Sequence, residues 1–406
     1  MKIGIYLENW GENAGGGYAY SKTVVKYFSE LKSKHEFLFI LATTNNEISQ
    51  DYQNISNAII YNKKNITEKK KSLFPTIWKK VRGFISEKNS EFKENTDGDL
   101  FASLVSENEI KCIYYPTAFT CENIEIPFYT TVWDLGHLTN NVFPEISAKG
   151  EFQRRENVLR TLIQRSYKVI SESEVGKSNI CKFYNTMKEK VVVVPQFAAF
   201  NIDTNIESRE VLDILEKLEL SKGEFIFYPA QFWPHKNHIN LLKAVLLLKK
   251  SVKEIKVVFV GSDQGNLKYV SRFIEENDLK GSVKYLGFVS SDTLKALYCS
   301  ALCLVFPTFL GPTNMPIVEA MACGCPVICS DLDGHREQAG DAAIYFNPAD
   351  PKDIADAISL VFRDEDLRLK CIEKGFEIAK EKSLNNVFVK LLKSFDEFEN
   401  IRSTWD

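Results

Sequence analysis

A loop of small and polar residues, Gly311-Pro312-Thr313-Asn314, runs into Met315 and Pro316, and Glu319 follows one helical turn later. Proline's fixed φ and missing N–H suit the first helical turn, so the spacing predicts a helix that opens at Pro316 and ends at Gly324. The start of such a helix offers backbone N–H groups without partners, an arrangement that holds anions, phosphate above all. Beside a phosphate, the Glu319 carboxylate can accept hydrogen bonds from ribose hydroxyls. The plainer alternative is a residue that compensates the helix dipole, worth ~0.3–1 kcal/mol. Lys236 occupies a second such place, because an apolar run ends at Tyr228 and a short loop delivers the lysine to the opening of the next helical stretch. There an ammonium meets a diphosphate as a compact point charge, in a bond worth about 1.5–3 kcal/mol. An exposed lysine at a helix start is the alternative. Near the N-terminus, Gly11-Glu-Asn-Ala-Gly15-Gly16-Gly17 directly follows the first apolar run. It fails the G-x-G-x-x-G fingerprint because Tyr20 holds the last glycine position, yet such a loop still lets backbone approach a ligand closely. Asp134 and His137 follow another apolar run, 128–132, where a polar group at the carboxyl end of a strand is well placed for catalysis.

The elements that must carry these groups are short apolar runs alternating with helical patterns. Strands are expected at 2–7, 37–42, 112–115, 128–132, 168–170 and 191–194, then at 225–228, 256–260, 283–286, 302–306, 327–329 and 343–346. Several lack polar alternation, as strands buried on both faces do. Strands separated by helices imply parallel sheets covered on both sides. A break near 195–207 divides the series, giving an α/β protein of two doubly wound, Rossmann-like domains facing across a cleft. The expected domains are 1–198 and 199–382, followed by a terminal helical stretch, 383–406. Ligands on such sheets bind beyond the carboxyl ends of the strands, so the cleft gathers the groups named above.

A chain of 406 residues exceeds one ordinary core, and its 44% hydrophobic and 26% charged content is that of a soluble globular protein. The formal charge of -3 argues against a nucleic-acid binder. Nine cysteines include no C-x-x-C pair and no zinc spacing, so the cluster Cys323, Cys325 and Cys329 reads as buried thiols in a reducing compartment. MKIGIYLEN reads as a strand instead of a targeting segment, and no apolar run reaches the ~18 residues of a membrane span. A cytoplasmic location follows as the expectation. Residues 63–88 stand apart: nine basic residues face Glu68 and Glu87, while Leu73, Phe74, Ile77, Trp78, Val81, Phe84 and Ile85 recur at helical spacing. A basic amphipathic helix of this kind rests on an anionic membrane at its inner face, or else packs on its own domain with a solvated lysine face.

The C-terminal half resembles family 4 of the retaining GT-B glycosyltransferases, whose hallmark is E-x7-E. The phrase MPIVEAMACGCPVICSD matches the end of that motif, and VVFVGS, VKYLGFVSSDTLKALYCSA and GHREQAGDAAIYFNPADPKDIADAI match further phrases in order. The likeness covers about 220–382 strongly and the N-terminal domain weakly. It implies that Glu319, the second glutamate, binds the donor ribose, and that Lys236 holds the diphosphate. It also implies donor contacts from Phe288 and Val289 and from Gly16 and Gly17. Three departures stand out. Gly311 occupies the place of the first, sugar-facing glutamate, leaving sugar contacts to Pro312, Thr313, Asn314 and Met315. Gln231 occupies the place of an arginine that shares the diphosphate; His235 and His238 are nearby candidate substitutes, with local capping or surface roles the favoured alternative. Trp133 replaces a histidine beside Asp134, and His137 is expected to take over from three residues on. The phrase RRENVLRTLIQRSYKVISESEVGKSNI also resembles the family and reads as architectural. A terminal helix that crosses back to the first domain is implied as well.

The resemblance implies a retaining transfer of a hexose-type sugar from a UDP- or GDP-sugar to an acceptor hydroxyl, without metal or other cofactor. The expected acceptor is a glycan or lipid-linked glycan in surface polysaccharide assembly. Asp134 and His137 are expected to orient it, with Lys236 stabilising the departing diphosphate. The alternatives are a nucleotide-sugar epimerase, a catalytically degenerate sugar-nucleotide binder, and a membrane-surface scaffold acting through 63–88.

Overall fold

The computed structural model describes residues 1–9, 11, 15–43, 52, 55–63, 97–117, 126–199, 208–249 and 255–405. Two parallel sheets carry the fold. The first contains β1 (Lys2–Glu8), β2 (Glu36–Thr43), β3 (Ala58–Asn62), β4 (Cys112–Tyr115), β5 (Phe128–Val132), β6 (Lys168–Ser171) and β7 (Val191–Val193), in the order β3-β2-β1-β4-β5-β6-β7. The second contains β8 (Phe225–Pro229), β9 (Lys256–Val260), β10 (Val283–Tyr285), β11 (Cys303–Phe306), β12 (Val327–Ser330) and β13 (Ala343–Phe346), in the order β10-β9-β8-β11-β12-β13. Central strands such as β4 and β11 are buried at every position, which is why they read as unbroken apolar runs. The edge strand β3 was not expected. It buries only Tyr61 and leaves Ile60 55% exposed, so its pattern is too wet to register.

In each sheet the strand order reverses once, between β1 and β4 and between β8 and β11. Such switch points open a crevice beyond the strand ends. Here the two crevices face each other. A Cβ placed on Gly15, after β1, would lie 2.9 Å from Nε2 of Gln231, after β8. Further contacts stitch the seam. Thr313 Oγ1 donates to Glu172 Oε2 at 2.8 Å. The Glu337 carboxylate accepts the backbone N–H groups of Glu174 (2.6 Å) and Val175 (2.9 Å), capping the helix Glu174–Tyr184 from the other domain. His235 donates its backbone N–H to Glu145 Oε1 at 3.0 Å, with its Nδ1 at 2.6 Å from the same oxygen.

The helix Leu384–Arg402 returns to the first sheet. Its stripe Val387, Phe388, Leu391, Phe395 and Phe398 is buried in one cluster with Ile3, Ile5, Phe28 and Tyr129. Phe395 meets Tyr129 edge-on at 4.8 Å, and the Tyr129 hydroxyl donates to the Ser394 carbonyl at 2.8 Å. Charges lock its outer face: Asp396 holds Lys34 and His35, each at 3.0 Å, and Glu399 holds the Met1 ammonium at 2.8 Å. The expected amphipathic segment 63–88 lies outside the described residues apart from Lys63, which pairs with Glu8 at 2.8 Å. Among the described residues, no helix is long and apolar enough to cross a membrane.

Candidate active site

Lys236 reaches the cleft because its turn is held from several sides. After β8 the chain forms a 3-10 turn, Pro234–Lys236, and Asn237 closes it in the left-handed region at φ 61. The Asn237 amide donates to the Pro307 carbonyl (2.9 Å) and the Pro348 carbonyl (2.8 Å), and the Tyr228 hydroxyl donates to the Lys236 carbonyl (2.6 Å). With its backbone fixed, Lys236 extends Nζ over the Phe306 ring, 5.1 Å from its centroid, and donates to Asn314 Oδ1 at 3.0 Å. Burial lowers its pKa from 10.5 to about 8, against a smaller raising pull from Asp134. It makes no ion pair with any described residue.

Asn314 is the hub of the facing loop. Its N–H donates to Gln338 Oε1 (3.0 Å), and its carbonyl accepts from Gln338 Nε2 (2.9 Å). Its Nδ2 lies 2.9 Å from His335 Nε2, while His335 Nδ1 lies 2.9 Å from the Ser330 carbonyl. A carbonyl only accepts, so Nδ1 carries the proton and Nε2 accepts from Asn314. Burial lowers His335 to about 4, which keeps it neutral for that part. The chain from Ser330 through His335 therefore turns the Asn314 oxygen toward Lys236. His335 and Gln338 were not singled out from the sequence. Their partners lie 21 and 24 residues away, and only the GHREQ phrase hinted at them.

The helix Met315–Ala322 opens as expected with proline in its first turn, and Gly324 follows it at φ 68. Its first polar group is already used, since Gln338 takes the Asn314 N–H. Gly311 has φ 110, and a Cβ there would lie 2.7 Å from Asn314 Nδ2 and 2.9 Å from the Thr313 carbonyl. A side chain at this position would be strained and would collide with the hub, so the loop in this conformation requires glycine. A Cβ on Gly334 would fall 1.8 Å from the Pro312 carbonyl, so the loop seats directly on that glycine. Met315 packs into the cluster of the first sheet. Glu319 is buried, accepts the Tyr298 hydroxyl at 2.8 Å, and is pushed up to about 7 by burial against the bonds from Tyr298 and the Ala199 backbone.

Gln231 is held in place by neighbours, accepting from Trp233 Nε1 (3.1 Å) and donating to Ser262 (3.2 Å). The two histidines named as candidate cations take local roles instead, the favoured alternative. His238 stacks on Phe232 at 4.2 Å and burial lowers it to about 3, while burial also lowers His235 despite the nearby Glu145. Phe288 is 47% exposed in the loop after β10, and Val289 beside it packs on the second core. Gly16 and Gly17 open the helix Gly16–Glu30 after Gly15 at φ 68.

On the other side of the loop lies a cavity of about 260 Å³, lined by Asp134, Asn140 and Asn179 from the first domain and Gly311, Pro312 and Asp333 from the second. Asp134 Oδ1 accepts the Gly136 N–H at 2.8 Å and lies 3.4 Å from Arg155 Nη1. His137 is not in this cavity. The short helix Gly136–Thr139 turns it inward, fully buried, with Nε2 3.3 Å from Glu156 and 3.5 Å from the Tyr184 hydroxyl. Its expected role in orienting an acceptor is therefore corrected to a structural one. A residue read as architectural comes forward instead. Glu172, directly after β6, is buried and pushed up to about 8, chiefly by burial.

Comparison with known proteins bears on the fold and the family. Residues 212–378 match the model of the family described as glycosyl transferases group 1. O-antigen chain mannosyltransferase B of Escherichia coli is 26% identical over 267 residues, covering 66% of this chain and 69% of that protein. O-antigen chain mannosyltransferase RfbU of Salmonella typhimurium is 30% identical over 201 residues, covering 50% of this chain and 52% of that protein. The structure of Anabaena Alr3699/HepE in complex with UDP-glucose superposes with a TM-score of 0.73 at 16% identity, over 98% of this chain and 100% of that one. The fold is that of the GT-B glycosyltransferases.

Proposed function

We propose that this chain, whose residues 212–378 match glycosyl transferases group 1, moves a hexose-type sugar from a nucleoside diphosphate sugar to an acceptor hydroxyl with retention of configuration. The observation that carries the reading is Lys236, a half-buried ammonium oriented by a neutral amide and facing no carboxylate at ion-pair distance among the described residues. A cation held partly out of water without a counter-charge awaits an anion, and a diphosphate between two facing switch points fits it. Glu319 supplies the acceptor for ribose hydroxyls, and Lys236 supplies positive charge to the leaving group in place of a metal. Preorganised donors of this sort are worth about 2.7–4 kcal/mol each in comparable sites. The departing phosphate takes the acceptor proton on the same face of the sugar, with Asp134 orienting the acceptor in the adjoining cavity. The relatives named for O-antigen chains support a glycan or lipid-linked glycan acceptor in surface polysaccharide assembly.

The test is thermal shift and calorimetry with UDP, GDP, UDP-glucose and GDP-mannose, followed by transfer assays. A ligand at 100 times its Kd stabilises by about 2.7 kcal/mol. Conversion of donor without acceptor would instead indicate an epimerase, and binding without any turnover a degenerate binder. Failure of every nucleotide to bind would refute the donor reading.

A further inference from the structure

Glu172 is costly where it stands. The turn Ser171-Glu172-Ser173 is set by Ser171 Oγ, which donates to the Ser173 carbonyl at 3.0 Å, and by Ser173 Oγ, which accepts the Gly176 N–H at 2.9 Å. That turn sends the carboxyl across the domain seam to Thr313, one residue before the Asn314 hub. Only Oε2 is occupied; Oε1 accepts no hydrogen bond from a described residue. No cation stands beside it. The groups facing it are Thr313 from the donor loop, Asp134 from the end of β5, Tyr20 from the helix after β1, and Tyr114 from β4. A cation-free carboxyl in a dry seam is a poor fastener, because a threonine–asparagine or apolar pair would join the domains without the desolvation.

We infer that Glu172 is the sugar-recognition residue of this cleft: a carboxyl supplied by the first domain that hydrogen-bonds a hydroxyl of the transferred sugar beside Thr313. This rests on the donor reading above. Gly311, two residues before Thr313, leaves its place in the donor loop without a side chain, while Glu172 stands at Thr313 with one carboxyl oxygen unused. A protonated carboxyl both donates and accepts, which matches the two-way hydrogen bonding of a sugar hydroxyl. Its raised pKa of about 8 keeps it in that form at neutral pH.

The experiment compares bare nucleotide with nucleotide sugar on the full chain. Calorimetry is run with UDP against UDP-glucose and GDP against GDP-mannose, for the wild type, Glu172→Ala and Glu172→Gln. Glu172→Ala is expected to lose about 10- to 100-fold in affinity for the nucleotide sugar, a lost strong hydrogen bond, while keeping its affinity for the bare nucleotide. Glu172→Gln, which preserves shape and two-way hydrogen bonding, is expected to recover most of that loss. In the wild type the extra affinity due to the sugar falls as pH rises through 8, and in Glu172→Gln it does not. Equal losses for nucleotide and nucleotide sugar, or no loss at all, would overturn the inference and leave Glu172 as a pin between domains. A wild type that binds nucleotide but gains nothing from any sugar would also overturn it. If the wild type binds no nucleotide either, the donor reading falls first and this inference with it. Melting curves of both variants show whether the fold is kept, and Glu172→Gln decides if Glu172→Ala fails to fold.

Discussion

Replacing Lys236 by methionine should make the free protein more stable and the liganded protein weaker. Burial takes the lysine from 10.5 to about 8. At 1.36 kcal/mol per unit, holding it charged near pH 7 costs about 3 kcal/mol. Methionine keeps the packing over Phe306 and removes that cost, but strands Asn314 Oδ1 without its donor, which returns about 1–2 kcal/mol. The net gain is about 1–2 kcal/mol, or a Tm rise of about 2–8 °C in a chain of two medium-sized domains. The pH dependence follows from the depressed pKa. Between about pH 8 and 10.5 the unfolded lysine binds a proton that the folded one has lost, so wild-type stability gains a rising component in this window. Lys236→Met lacks it, and the difference between the two melting curves should shrink as pH climbs. Affinity for UDP or GDP moves the other way, falling about 10- to 100-fold with the loss of a charge-assisted bond. Differential scanning fluorimetry across pH and calorimetry at neutral pH read both. A variant that melts lower and binds nucleotide as well as the wild type would refute the reasoning.

Glu319→Gln should raise stability above pH 7 by about 1–3 kcal/mol, since a carboxyl lifted to about 7 is stabilising only while protonated and that contribution is lost as pH rises through 7. The gain should vanish near pH 4.5, and the variant should discriminate less than the wild type between UDP and 2′-deoxy-UDP; an unchanged ratio would count against the ribose role. Glu399 is held down to about 2 by the Met1 ammonium and Lys34, so its contribution is present above its ordinary range and lost as pH falls toward 2. Glu399→Gln should therefore melt below the wild type at neutral pH, with the gap closing in acid; a gap indifferent to pH would argue against the charge lock.

Local signals and distant ones separated cleanly in this chain. The runs that became β4, β5, β9 and β13 were readable with their ends in place, because strands buried on both faces leave uninterrupted apolar stretches between turn residues. Proline at the helix start after Asn314 and glycine beyond its end were equally local. What escaped was set by partners far along the chain. Glu172 meets Thr313 across 141 positions, and nothing in SES announces that its carboxyl will point over a domain boundary. A carboxylate immediately after a buried parallel strand was the one available hint. His137 misled for the opposite reason: its closeness to Asp134 in sequence ignored the helical turn that rotates it into the domain interior, toward Glu156 and Tyr184. The edge strand β3 was too exposed for its period to show.

The return of Leu384–Arg402 to the first sheet also dictates an order of assembly during biosynthesis. Phe388, Phe395 and Phe398 fill a core begun by Ile3 and Ile5, so ribosomal synthesis delivers the filling nearly 400 residues after the first strand. Until then the nascent first domain carries an open aromatic trough, with Phe28, Phe37, Tyr114 and Tyr129 on its walls. The second domain can close its own core sooner, since among the described residues that core draws its buried members from Leu215 to Ala379. A nonsense codon just before Leu384 would thus spare the domain it follows and strand the one synthesised first.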